Sequence, residues 1–342
     1  MGKSLKTFGL DHLCYIVRDD FRRTRDIVDA LNTAIPQEFI DKKECLNVGQ
    51  LKAFDCIMKH VCENTGGAFF IDGPGGTGKT FLYNCLYVEI RRMDKIVLPT
   101  ATSGIAASNL PSGRTAHSRF KIPIDYENSF TCDVPKQGSL AQLIKETTLI
   151  IWDEASMANK ANLQSLDLLL QDVCDNKSLF DGKLVVLGGD FRQVLPIVPQ
   201  KSLKQAVESS IVTSYIWTCL KRFRLTENQR AREDLAFCSF LLSLGNGDLQ
   251  SNECDYVCLP DGMIQHLNME GDPILEIVNA TFPEVGEGTI TPDIFADRAI
   301  LTTMNDDVDL VNSVLIGRFP GEKVIYKSFD VMLNDTCNIY PV

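Results

Sequence analysis

No apolar run in these 342 residues is long enough to cross a bilayer. The opening Met1-Gly2-Lys3-Ser4-Leu5-Lys6 has no apolar stretch of the secretory kind, and Lys6 stands where a myristoylation pattern requires Ser or Thr. A water-soluble, intracellular protein is therefore expected. The 12 cysteines are scattered without the spacing of a disulfide framework, which suits small buried apolar residues in a reducing compartment. The one tight pair, Cys254 and Cys258 with His266 downstream, has no second pair nearby to complete four zinc ligands. Internal repeats and low-complexity segments are lacking too. Nor is there a basic excess, since the formal net charge is −11, which argues at first sight against a nucleic-acid partner.

The charge is unevenly distributed, and that weakens the objection. Residues 251–342 hold 16 of the 45 acidic and 4 of the 34 basic residues, leaving 29 acidic and 30 basic in residues 1–250. The acidity belongs to the C-terminal third, whereas the first part is neutral with basic clusters at Arg114/His117/Arg119/Lys121 and Lys221/Arg222/Arg224. Such clusters can follow a phosphate backbone, although solvated surface charge accounts for many of them. With 44% apolar residues the chain can bury a full core and has room for more than one domain.

The most informative stretch is Gly73-Pro74-Gly75-Gly76-Thr77-Gly78-Lys79-Thr80, a match without gaps to G-x-x-x-x-G-K-[ST]. Glycines there let backbone N–H groups curl around a triphosphate, and the next helix adds its positive N-terminal end. Lys79 would reach the β- and γ-phosphates, and the Thr80 hydroxyl would hold Mg²⁺. A short apolar strand at 68–71 precedes the loop and helical spacing over 81–91 follows it. Further strands are expected at 96–98, 148–152 and 184–187, with a helix at 162–173 between the last two. Apolar strands alternating with helices predict an α/β fold, a parallel sheet covered on both faces. Ligands of such sheets bind beyond the C-terminal strand ends. A later strand at 299–301 leading into a helix at 308–316 predicts the start of a second α/β unit, after an Asp-, Glu-, Gly- and Pro-rich connection at 251–297.

Asp153-Glu154 closes the strand ending at Trp152. There Asp153 is placed to hold Mg²⁺ and Glu154 to act as general base on the attacking water. Gly188-Gly189-Asp190-Phe191-Arg192-Gln193 closes the next strand; its glycines are expected to turn the chain and Gln193 to sense a γ-phosphate. Arg230, in Leu225-Thr226-Glu227-Asn228-Gln229-Arg230, can stabilise charge developing on the transferred phosphoryl group, although its spacing alone equally suits a surface residue.

Together these blocks resemble the petite-integration-frequency (Pif) family of superfamily-one DNA helicases, especially the branch carried by Helitron-type transposons. The resemblance covers residue 46 to the end. It is carried by Leu46-Asn47-Val48-Gly49-Gln50, by residues 73–80, by Ala101-Thr102-Ser103-Gly104-Ile105-Ala106-Ala107, by Gly113-Arg114-Thr115-Ala116-His117-Ser118-Arg119-Phe120, by Asp153-Glu154-Ala155-Ser156-Met157, and by residues 188–196 and 225–230, in matching order and separation. It implies two RecA-like cores, the first carrying the phosphate loop, and a 5′→3′ helicase that couples ATP hydrolysis to movement along single-stranded DNA. In such relatives this activity serves repair, recombination and telomere maintenance or transposition. It further implies that Gln50 reads adenine, that Gly73, Gly75, Gly76, Thr77, Gly78, Lys79 and Thr80 cradle the nucleotide, and that Arg230 is the arginine finger. Thr102, Ser103, Gly104, Thr115, His117 and Phe120 fall in segments that grip the single strand.

On this reading residues 1–45 have no assigned role, 46–235 form the first core with an insertion at about 113–145, 236–297 connect, and 298–342 begin a second core. The family's two later motifs, a Thr/His/Gln-Gly block and a Ser-Arg block, find no match before Val342. A nucleotide-gated DNA-binding module with little unwinding activity is accordingly the alternative expectation. A nuclear location follows from the resemblance, with the mitochondrion as second choice.

Overall fold

Every apolar run expected as a strand between residues 68 and 187 becomes one in the computed structural model, which describes residues 24–124, 130–175, 177–198, 202–250, 256–264, 266, 271–287, 292–319 and 324–325. The segment expected to lack a targeting signal and Cys254 of the tight cysteine pair lie outside these residues. Two compact units are present, Met1–Gln250 and Ser251–Val342.

The first unit runs α1 (Arg25–Asn32), α2 (Val48–Glu63), β1 (Gly67–Asp72), α3 (Lys79–Arg91), β2 (Ile96–Ala101), α4 (Gly104–Ser108), β3 (Arg114–Thr115), α5 (Ala116–Phe120), α6 (Ser139–Glu146), β4 (Thr147–Asp153), α7 (Lys160–Cys174), β5 (Leu184–Gly189), α8 (Leu203–Glu208), β6 (Lys221–Arg224) and α9 (Leu235–Asn246). Six strands form one sheet in the order β3-β2-β4-β5-β1-β6, and every pairing is parallel. The two edge strands, β3 and β6, were not expected, because Arg114-Thr115 and Lys221-Arg222-Phe223-Arg224 read as basic clusters.

Side chains alternate across a strand, so each apolar run feeds two cores. Phe70, Leu98, Ile150, Trp152, Val185 and Leu187 meet Leu163, Leu166, Leu170 and Val173 of α7 on one face. Phe69, Ile71, Val97, Leu149, Ile151 and Val186 meet Phe54 and Ile57 of α2 and Leu82, Leu86 and Ile90 of α3 on the other. Helices α3 and α7 thus leave the sheet toward opposite faces, and the strand ends at Asp72, Asp153 and Gly189 open into the crevice between them, where ligands of such sheets bind.

Gly188 and Gly189 correct one expectation. They lie inside β5, and neither has the left-handed backbone of a tight turn. Close packing requires them instead: a Cβ on Gly188 would sit 1.6 Å from the Tyr83 hydroxyl, and one on Gly189 would sit 2.4 Å from Ser156 Oγ. Gly188→Ala is therefore expected to cost about 1–3 kcal/mol by overpacking. Tyr83→Phe in the same chain should recover part of that loss; urea unfolding of the single and double variants measures both.

The second unit contains α10 (Pro273–Thr281), α11 (Pro283–Glu287) and α12 (Asn305–Arg318). Val278, Phe282 and Val285 form its small core, with Ile300, Val311 and Val314 packed against them. Arg298 clamps Glu284 with two hydrogen bonds of 2.9 Å. The helix expected at 308–316 is present within α12, but Ala299, Ile300 and Leu301 form no strand. Ile300 packs against helices and Leu301 is 92% exposed. Among the described residues no group of three or more His, Cys, Asp or Glu is arranged to hold a metal ion, and no helix is long and apolar enough to cross a membrane.

Candidate nucleotide site and strand surface

The loop between β1 and α3 is held from three directions. Gly76 and Gly78 take left-handed backbone, φ 84° and 76°, where glycine carries no Cβ penalty. Lys79, 8% exposed, turns its ammonium back onto the loop and donates to the carbonyls of Gly73 at 2.7 Å and Pro74 at 3.4 Å. The Thr77 hydroxyl donates to Pro74 O at 2.8 Å. From the far side comes the segment before α9: Gln229 N donates to Gly76 O at 2.8 Å and Asn228 Nδ2 to Gly75 O at 3.2 Å. Asn228 Oδ1 then accepts from the backbone N of both Arg230 and Ala231 at 3.0 Å, which sets Arg230 at the loop.

Gln50 supports the loop from beneath. Its carboxamide oxygen accepts from Asn47 N at 2.9 Å in a capping box at the start of α2. Its Nε2 donates to Thr77 O at 3.1 Å and Gly78 O at 3.3 Å. At 2% exposure the amide is used within the protein, and a Cβ on Gly78 would collide with it at 2.4 Å. The residue expected to read adenine thus serves here as a strut between α2 and the loop.

A cavity of about 420 Å³ is lined by Gly75, Gly76, Gly78, Lys79, Thr80, Glu154, Gln193, Gln229 and Arg230. Five residues expected to act on a triphosphate, Lys79, Thr80, Glu154, Gln193 and Arg230, therefore share one space. Asp153, 4% exposed, adjoins two of the lining residues: Oδ2 lies 3.5 Å from Thr80 Oγ1 and Oδ1 accepts from Glu154 N at 2.9 Å. Burial, reinforced by the neighbouring Glu154 charge, pushes the Asp153 carboxyl up to about 6, against the opposing pull of the Glu154 N–H, Lys79 and Thr80. Burial also raises Glu154, with Lys79 drawing it down and Asp190 pushing it up. Glu154 Oε2 is buried without a hydrogen-bond partner among the protein groups. Its backbone is left-handed at φ 53°, which for a residue with a Cβ costs roughly 1–2 kcal/mol.

Asp190 and Asn228 are two contributors that motif reading passed over. Asp190, 4% exposed, binds Arg192 N at 3.0 Å and Arg192 Nη1 at 3.1 Å through Oδ1, while its Oδ2 accepts from Gln193 Nε2 at 3.4 Å. It organises the turn that delivers Gln193. Short polar side chains are common in turns, so no pattern of spacing singles out either residue.

The residues expected to grip a single strand divide differently from expectation. Phe120 is fully buried in the core, so its ring is not available to stack on a base. The hydroxyls of Ser103 and Thr115 cap α4 and α5, accepting from Ala106 N at 3.2 Å and Ser118 N at 3.3 Å. The Thr102 hydroxyl also faces inward, donating to Glu154 O at 2.7 Å and accepting from Trp152 Nε1 at 3.1 Å. Gly104 is exposed with open space where a Cβ would stand. His117 is half-buried, and burial lowers its imidazole below the ordinary histidine value. Arg119 turns inward to Ser112 O at 2.7 Å and Pro99 O at 3.4 Å; burial, with Arg114 adding repulsion, lowers it to about 10. Arg114 and Lys121 remain exposed, as do Lys221, Arg222 and Arg224 on β6.

Parallel sheet, glycine loop and paired carboxylates define a phosphate-loop nucleotide-binding core of RecA-like form. The family model described as PIF1-like helicase matches residues 45–255, and the chain belongs to that family. It is 26% identical over 268 residues to the ATP-dependent DNA helicase Pif1 of Psychrobacter sp. (strain PRwf-1), covering 77% of this chain and 37% of that one. It is 25% identical over 285 residues to the ATP-dependent DNA helicase PIF1 of Candida albicans, covering 80% of this chain and 28% of the relative. The crystal structure of the Candida albicans Pif1 helicase superposes with a TM-score of 0.63 at 25% identity, over 85% of this chain and 59% of that chain. The chain thus spans about a third of the length of these two curated relatives.

Proposed function

We propose that this chain binds Mg·ATP at the 73–80 loop and hydrolyses it in response to single-stranded DNA, as part of a 5′→3′ DNA helicase. The observation that carries the reading is the buried, unpartnered Oε2 of Glu154 beside a cavity that also holds Lys79, Gln193 and Arg230. An unsatisfied buried carboxylate oxygen is costly unless something binds it, and a water aligned for attack on a γ-phosphate is the partner that suits this place. Lys79 would exchange its loop carbonyls for phosphate oxygens. Thr80 and Asp153, whose side-chain oxygens lie 3.5 Å apart, would supply oxygen donors for Mg²⁺, whose chemistry there would be to neutralise phosphate charge. Gln193 would orient the water or γ-phosphate, and Arg230 would meet the charge that develops during transfer.

The named relatives are ATP-dependent DNA helicases, which supports strand separation as the larger activity. Residues 298–342 are read as the start of a second core, reached through the connection at 236–297. Roles in repair, recombination or telomere maintenance, a Helitron-type origin and a nuclear location are the finer part of the proposal and rest on the family resemblance.

A fluorescent ATP analogue, titrated with Mg²⁺, tests the site. Lys79→Ala should weaken binding by at least about tenfold, because a hydrogen bond from a charged group is worth about 1.5–3 kcal/mol. Equal affinity in the variant would remove the assignment. A poly-pyrimidine oligonucleotide should stimulate hydrolysis, more weakly as salt rises.

A further inference from the structure

One residue grips three consecutive positions of the carboxylate turn. Thr102 N donates to Asp153 O at 3.1 Å, Thr102 Oγ1 donates to Glu154 O at 2.7 Å, and the same oxygen accepts from Trp152 Nε1 at 3.1 Å. Both hydrogen-bonding roles of the hydroxyl are thereby filled. The carbonyl it holds belongs to Glu154, whose backbone is in the left-handed region and persists there only because its surroundings impose it. On its other side Thr102 is joined directly to Ser103, the cap of α4, and then to Gly104 and Ile105, which stand on the surface, Ile105 at 83% exposure.

We propose that Thr102 is a positioning residue: it sets the Glu154 carboxylate and carries occupancy of the Ser103-Gly104-Ile105 surface by a single strand into water activation. The inference rests on the proposed ATPase and strand-binding activities and adds the link between them. A strand seated on residues 103–105 displaces the backbone that begins at Thr102. Three short bonds, one of them to the Glu154 carbonyl, pass that displacement to the main chain from which the Glu154 carboxylate projects.

The test compares Thr102→Val, which keeps the branched shape and loses the hydroxyl, with Thr102→Ser, which keeps the hydroxyl. Thr102→Val should lower oligo-dT-stimulated kcat about tenfold, less than the roughly 10²-fold that a 1 Å misplacement of a catalytic group can cost. The KM for ATP and the affinity for oligo-dT should stay within about twofold, and Thr102→Ser should retain at least half the wild-type kcat. In a Trp217→Phe background, oligo-dT should alter Trp152 emission in the parent and not in Thr102→Val.

Loss of oligo-dT affinity matching the loss of rate would make Thr102 a strand contact and overturn the proposal. So would wild-type stimulation in Thr102→Val, or unaltered Trp152 emission with the strand bound. A parent chain that neither binds oligo-dT nor hydrolyses ATP marks failure of the underlying activity, and the link falls with it. A parent that does both while Thr102→Val is unchanged marks failure of this inference alone.

Discussion

Glu154→Gln is expected to lower ATP turnover by about 10³-fold, within the range a positioned general base contributes, while leaving Mg·ATP bound to within a few-fold. The substitution keeps the shape of the side chain and removes its basicity. Burial is the main reason Glu154 is raised above an ordinary glutamate, which makes its carboxylate a better proton acceptor than the free side chain. Lys79 works in the opposite direction and favours the ionised form a base must have. Oε2 has no protein donor to compete with a bound water. Binding should survive because the expected phosphate contacts come from the loop, Lys79 and Thr80, whose side-chain hydrogen bonds go to Gly73, Pro74 and Asp153 and not to the Glu154 carboxylate. Single-turnover hydrolysis and analogue titration of the same preparation separate the two effects. A variant that loses affinity as steeply as rate would make Glu154 a ligand of the nucleotide or its metal instead of a base.

What could be read from residues alone was what depends on short spacing. The glycine loop, its strand and its helix are continuous in sequence, and Asp153-Glu154 follows an apolar run downstream of that loop that reads as a buried strand end. Partners chosen by the tertiary fold were hidden. Gln50 stands 27 positions from Thr77 and Thr102 stands 52 positions from Glu154, yet each closes a hydrogen bond on which the site is built. Strand β6 was obscured because Lys221, Arg222 and Arg224 flank a single inward Phe223, the pattern of an edge strand and equally of a basic loop. Phe120 illustrates a clue overlooked. Ala116 and Phe120, four apart on the short helix α5, share the face that enters the core, so helical spacing alone places the ring inside. Leu301 shows the limit in the other direction, since a brief apolar triplet does not decide between strand and packed coil.

Arg230→Ala should reduce kcat by about 10³-fold or more, the usual loss for an arginine that meets charge on a transferring phosphoryl group. Arg230→Lys should restore little, because an ammonium lacks the planar fork of a guanidinium. Its position depends on Asn228, whose side-chain oxygen fixes the Arg230 and Ala231 N–H groups and whose amide reaches Gly75 O. The two residues therefore predict different kinetic signatures. On the proposed role, Arg230→Ala would remove an interaction formed as charge develops, so kcat should fall while KM for ATP changes little. Asn228→Ala frees the phosphate loop and misplaces Arg230 together, so KM rises and kcat falls. In the double variant the loss in kcat should be close to that of Arg230→Ala alone, since Asn228 acts on kcat through the arginine it positions. Additive losses would instead give Asn228 its own role at the phosphates. Steady-state hydrolysis with saturating oligo-dT, measured across ATP concentration for the four chains, distinguishes the outcomes.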